Sequence, residues 1–174
     1  MENANMFLRQ YYLQCLSHAS YLVGDRSTGK AIVVDPQRDV DQYINDATAE
    51  GLTITSVFET HFHADFVSGH LDLRKKTGAS IVFGPTANPG YTAIIAKDGE
   101  TFTVGSCRVK AIHTPGHTLE STTYLIIDES GNEKGIITGD TLFIGDGGRP
   151  DLAQHVAKNL TDDKLAKMLF HSLR

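Results

Sequence analysis

Thr60-His61-Phe62-His63-Ala64-Asp65 sets two imidazoles and a carboxylate at alternate positions of one short stretch. In extended backbone such positions face the same side, so the three groups can converge. Imidazole and carboxylate at this spacing suit a divalent metal. The plainer alternative is a surface loop with scattered polar residues. Two further segments argue against it. His113-Thr114-Pro115-Gly116-His117 follows an apolar run, and its Pro-Gly pair can aim His117 inward, because Pro fixes φ and Gly takes angles closed to other residues. His113 itself lies at a strand end and reads as a packing or hydrogen-bonding residue. Thr138-Gly139-Asp140-Thr141 follows Gly135-Ile136-Ile137, and an Asp there either caps a turn or ligates. Three separate strand ends each carrying a metal-type ligand make a metal centre the joint reading.

The elements that would carry these segments are short strands alternating with helices. Tyr21–Val23 and Ala31–Val34 flank a turn-rich stretch and form a hairpin, ended by Asp35-Pro36. Asp39 or Asp41 caps a helix running to about Ala49, with Tyr43, Ile44 and Ala47 as its apolar stripe and Gly51 as its stop. A strand over 53–58 follows, then a helix over about 68–76 closed by Gly78, and a strand over 79–83. The stretch 84–99 reads as loop. Hairpins are expected at 101–104 with 107–112 and at 122–127 with 135–138, and a Gly-rich loop at 145–151. Thr161 or Asp162 caps a last helix whose apolar positions are Leu165, Met168, Leu169 and Leu173.

The chain has 174 residues, enough for one domain with a proper core. Net charge is −5 with the signs interspersed, and the longest basic run, Arg74-Lys75-Lys76, reads as a solvated helix face, which argues against nucleic acid. No apolar run reaches the roughly 18 residues of a membrane span. Met1 to Gln10 shows no basic start leading to an apolar stretch, so a cytoplasmic address is expected. Cys15 and Cys107 lie near no motif and are expected as buried thiols of a reduced compartment.

His61-Phe62-His63-Ala64-Asp65, Pro115-Gly116-His117 and Thr138-Gly139-Asp140, in that order and with Asp35-Pro36 upstream, resemble the metallo-β-lactamase superfamily. The resemblance covers nearly the whole chain. It implies an α/β fold, an αββα four-layer sandwich with the metal at one edge of the paired sheets, and one catalytic domain over 1–174. Hydrolases of that superfamily such as glyoxalase II carry His-x-His-x-Asp-His and bind two zinc ions, whereas the sixth position here is Phe66. A phenyl ring cannot ligate, so a second metal would lose a ligand and meet an apolar wall. Residues 60–69, and Leu142 through Gly145-Asp146-Gly147-Gly148-Arg149-Pro150-Asp151 to Leu152, look like the persulfide dioxygenases, especially those fused to rhodanese domains.

That branch implies one Fe(II) held by His61, His117 and Asp140, two histidines and a carboxylate that leave open positions. It implies a thiol persulfide and O2 as substrates, with sulfite and the parent thiol as products. His63 and Asp65 would then orient ligands or hold a water. For Arg149 two readings stand: steering an anionic thiol such as glutathione, or tying its loop to the core. Iron and zinc both accept this ligand set, so the zinc-dependent thioester hydrolase remains the alternative. The family's domain continues beyond Arg174, so the sandwich is expected to be C-terminally incomplete. A strand edge left exposed there would favour a homo-oligomer.

Overall fold

Residues 31–34 read Ala-Ile-Val-Val and every one is buried, as a strand must be when both of its faces are covered. In the computed structural model, which describes residues 5–152 and 160–174, this is β3 (Lys30–Val34) at the middle of the larger sheet. Around it lie β1 (Met6–Leu13), β2 (His18–Asp25), β4 (Thr53–Glu59), β5 (Ser80–Phe83) and β6 (Ile94–Ile95), in the order β1-β2-β3-β4-β5-β6. The first three strands are antiparallel, and β3 to β6 run parallel. Parallel neighbours need crossovers, and helix α1 (Asp41–Ala49) supplies that from β3 to β4 and helix α2 (His70–Thr77) that from β4 to β5.

The smaller sheet has the order β10-β9-β8-β7, from β7 (Thr101–Val104), β8 (Cys107–His113), β9 (Thr122–Ile127) and β10 (Glu133–Ile137). A two-residue hairpin pairs β11 (Leu142–Phe143) with β12 (Asp146–Gly147), and helix α3 (Asp162–Ser172) closes the chain.

The period of two sorts the core into two sides. Ile32, Val34, Phe58 and Val82 meet Val104, Val109, Ala111, Tyr124 and Ile126 between the sheets. Ala31, Val33, Ile54 and Val57 point the other way, onto Tyr43 and Ala47 of α1 and Leu73 of α2. Helices, sheet and sheet thus stack as layers, the metallo-β-lactamase fold. Phe58 stands edge-on to Tyr124 and Phe102, with ring centroids 5.1 and 5.3 Å apart. Offset aromatic contacts of this kind add to plain area burial.

The expected hairpins and helices are present, with informative shifts. β1 carries no strong apolar alternation because it is an edge strand with only Phe7 buried, and the sequence reading gave it no element. Residues 94–95, within 84–99, and 146–147, within 145–151, pair inside stretches expected as loops, the latter with Leu142–Phe143. Val40 occupies the N-cap of α1, while the Asp39 carboxylate accepts from Asp41 N at 3.2 Å. Thr161 caps α3, its hydroxyl accepting from Lys164 N at 3.3 Å. Of the stripe expected there, Leu165 and Leu169 are buried but Leu173 is exposed. Cys107 is buried, and burial pushes its thiol up to about 11. Cys15, expected inside, is exposed, because it lies on a short 3-10 turn beside the edge strand.

Candidate metal centre

Glu59, His113 and Ile137 end β4, β8 and β10, and the loops leaving these strands bring His61, His117 and Asp140 together. One ligand atom from each lies within 4.8 Å of the others. His117 Nε2 stands 3.6 Å from Asp140 Oδ2, and the rings of His61 and His117 meet edge to face at 4.9 Å.

Local chemistry aims each candidate ligand. Asp35 sits just past β3 with φ of 49°, a left-handed conformation Asp tolerates, and is 2% exposed. Its carboxylate accepts from Thr60 N and from the Thr60 hydroxyl, each at 2.7 Å. With its one proton given to Asp35, Thr60 Oγ1 accepts from His61 Nδ1 at 3.0 Å. That leaves a lone pair on His61 Nε2. His117 Nδ1 donates to the Arg149 carbonyl at 3.1 Å, again leaving Nε2 free. Burial, reinforced by the neighbouring His63, lowers His61 to about 3, so its ring is neutral, the form that ligates. Asp140 is raised by burial, with His117 and His63 pulling the other way. A divalent ion would supply the charge this carboxylate lacks, so the donor set fits a metal.

Glycines permit the close approaches. Gly116 has φ of 150°, and a Cβ there would meet Leu169 Cα and N of α3 at 2.5 and 2.6 Å. A Cβ at Gly139 would strike the Thr60 side chain, and one at Gly148 the Asp140 carbonyl. The 142–152 segment therefore folds directly over the site. Ser172 fastens α3 by donating to the Pro115 carbonyl at 2.8 Å. The hydroxyls of Thr114, Thr123 and Thr141 lock the loops together at 3.1 Å.

Not every residue of the first motif joins the ligand group. Residues 60–69 form no strand, and although the His61 and His63 rings lie 4.2 Å apart, only His61 groups with His117 and Asp140. His63 lies instead with Asp35 and Glu59 in a second buried group. Glu59 is raised to about 8 by burial and by repulsion from Asp35. His63 is raised to about 9; burial opposes this, but the Asp35 and Glu59 charges outweigh it. Asp65 is exposed and lines both cavities that reach Asp140. Phe66 stacks on His18 and His63, with centroids 4.1 and 4.4 Å away. The Arg149 guanidinium pairs with Asp151, its Nε 3.1 Å from Oδ1, and is largely solvent-exposed; its carbonyl is the part that reaches the site. His113 Nε2 donates to the Leu119 carbonyl at 2.8 Å, the hydrogen-bonding role expected. Glu120 escaped the sequence reading: its carboxylate accepts from Phe62 N at 3.0 Å and fixes the His61 loop from across the site. No local spacing signals a bond between residues this far apart in sequence.

One cavity of about 270 Å³ opens on the centre, lined by His61, His117 and Asp140 together with Phe62, Leu152 and Leu160. A second, of about 590 Å³, approaches from the side of His18, His63 and Phe143.

Sheets in this order, with strand-end histidines and aspartate at one edge, define a metal-dependent enzyme fold. The chain belongs to the metallo-beta-lactamase superfamily, whose family model matches residues 13–171. It is 40% identical over 125 residues to a hydroxyacylglutathione hydrolase of Brucella anthropi, covering 64% of this chain and 46% of that protein. A metallo-beta-lactamase structure from Staphylococcus aureus superposes with a TM-score of 0.85 at 40% identity, over 97% of this chain and 52% of that one. The structure of ETHE1 from Myxococcus xanthus gives 0.82 at 31% identity, over 97% of this chain and 68% of that one. The chain thus spans about half the length of the curated relatives it matches. Among the described residues no helix is long and apolar enough to cross a membrane.

Proposed function

We propose that His61, His117 and Asp140 hold a single iron(II) and that the centre oxidises a low-molecular-weight thiol persulfide. The observation that carries this is the ligand group itself: two imidazoles and one carboxylate, with His63 grouped with Asp35 and Glu59 and a phenyl ring at position 66. The iron, when bound, supplies the redox chemistry and open coordination positions that zinc, having no accessible second oxidation state, does not. The balanced reaction takes one persulfide, one O2 and one water to one thiol, one sulfite and two protons.

The chain's own groups bind and orient. The Thr60 hydroxyl and the Arg149 carbonyl fix the two imidazoles. The Phe62, Leu152 and Leu160 wall excludes water from the sulfur end of the substrate. Asp65, open to solvent at the cavity rim, is placed to hold the water consumed. The Arg149 carbonyl accepts from His117 Nδ1 and so supports the loop-tying reading of this residue, while its guanidinium is paired with Asp151. The likeness to the ETHE1 structure supports this reading.

The test is anaerobic iron loading to one ion per chain, followed by oxygen uptake with glutathione persulfide and sulfite analysis. One O2 consumed and one sulfite formed per persulfide is expected. Stoichiometric iron with no oxygen uptake overturns the reading. The alternative is zinc-dependent hydrolysis of a hydroxyacylglutathione thioester, which the likeness to the hydroxyacylglutathione hydrolases favours. Thioester hydrolysis by a chain carrying two zinc ions establishes that alternative instead.

A further inference from the structure

Glu120 leaves one carboxylate oxygen free beside the centre. Its Oε1 accepts from Phe62 N at 3.0 Å, and Oε2 has no partner among the described residues. The residue is 9% exposed, yet it lines the cavity of about 270 Å³ that also reaches His61, His117 and Asp140. Its backbone is framed on both sides. The His113 ring donates to the Leu119 carbonyl at 2.8 Å, and Thr122 Oγ1 donates to the Glu120 carbonyl at 2.9 Å. A Cβ at Gly84 would meet that same carbonyl at 2.8 Å, so the packing there is tight. The carboxylate is therefore held in place before any ligand arrives, which lowers the cost of binding one.

A carboxylate this enclosed is costly unless a donor or a cation meets it. Asp65 adds a second carboxylate to the cavity lining, and the Arg149 guanidinium, paired with Asp151, is no part of that lining. Phe62, Leu119, Leu152 and Leu160 supply apolar wall. The cavity is just smaller than the roughly 300–1,000 Å³ of pockets that hold drug-sized ligands, so its ligand is small. Candidate metal ligands, apolar wall and a free carboxylate oxygen complement a molecule with sulfur at one end, a short hydrocarbon stem and an ammonium group at the other. We propose that Glu120 is a specificity-determining residue whose Oε2 accepts a hydrogen bond from the ammonium of the thiol carrier, so that the preferred substrate is the persulfide of a small aminothiol. The inference rests on the reading of the centre as the place where the persulfide sulfur binds, and it narrows that reading to one class of thiol.

Cysteamine and 2-mercaptoethanol separate the possibilities, because they share the same short stem and differ by ammonium against hydroxyl. Both are titrated calorimetrically into the whole chain loaded with zinc, in the parent and in Glu120→Gln, which keeps the side-chain shape and the acceptor for Phe62 N. The two thiols also differ in acidity, and that difference cancels when their affinity ratio is compared between the two proteins. The ratio in favour of cysteamine is expected to fall about tenfold or more in Glu120→Gln, the margin by which a hydrogen bond to a charged group exceeds a neutral one. A ratio that moves by less than about twofold, as for groups that do not meet, overturns the proposal. Zinc content measured alongside reports any displacement of the His61 loop separately from the preference. Oxygen uptake by the iron-loaded proteins with the two persulfides is expected to show the same shift in the KM ratio and a much smaller one in kcat. An unmoved KM ratio overturns the proposal. A moved binding ratio with no oxygen uptake from either persulfide overturns the dioxygenase reading and leaves the aminothiol site standing, so the two failures are distinct.

Discussion

Thr60 makes the smallest contact in the centre and one of the most consequential. Its hydroxyl sits between the Asp35 carboxylate and His61 Nδ1, and so decides which His61 nitrogen faces the ion. Thr60→Val keeps the shape and deletes the relay. It should weaken metal affinity by about 10–100-fold, as measured by competition with a chelator of known strength. His117→Ala removes one of the proposed ligands outright. Its loss should exceed that range, leaving metal near background after dialysis; stoichiometric metal in this variant contradicts the ligand assignment. Of the residues involved, His61, His117 and Asp140 were legible because they recur just after apolar strands. Thr60 and Glu120 were not, because their partners come from elsewhere in the chain.

Gly116 shows what the turn between β8 and β9 demands. Gly116→Ala forces a Cβ into the backbone of α3 at an unfavourable φ. It should cost about 2–4 kcal/mol by strain and overpacking, read in denaturant melts, and weaken metal binding by displacing His117. A different element-scale lock lies far from the centre. Asp25, wholly buried at the end of β2, accepts from Ser27 N and Oγ and from Thr28 Oγ1 in its own turn. It also accepts from Ser106 N and Oγ, at 2.7 and 2.8 Å, in the turn between β7 and β8. One carboxylate thus ties the two sheets together.

Burial opposes ionisation of Asp25, but these hydrogen bonds, with Ser106 N foremost, hold it well below the usual 3.8. A group depressed in the folded chain lends stability that is fully present above its ordinary value and lost as pH falls below it. Asp25→Ala should therefore cost about 3 kcal/mol at pH 7. The difference from the parent protein should shrink as melts are taken from pH 4 downward. A pH-independent difference would show that the carboxylate's charge is not what locks the turns.

At the scale of the molecule, three loops from both sheets meet at the proposed centre, so an ion held there would link binding to folding. Metal at about 100 times its dissociation constant should stabilise the chain by about 2.7 kcal/mol, provided the unfolded chain does not compete. Thermal melts with and without chelator measure this directly. His117→Ala should abolish the difference while leaving the chelated melt close to the parent's.

The sequence by itself determined which residues alternate, where strands end and which side chains stand after those ends. Period-two apolar runs, turn glycines and helix stops are local matters of backbone sterics and burial, and β2 to β5, α1 and α2 follow from them. Only the tertiary structure decided which neighbours His63 meets, because the backbone over 60–69 forms no strand and its partners come from β3 and β4. Asp35 just past β3 and Glu59 at the end of β4, on adjacent parallel strands, stand 3.1 and 3.6 Å from the ring that spacing alone assigned to the metal. Local pattern fixes direction along one strand; electrostatics between strands fixes where a side chain finally rests.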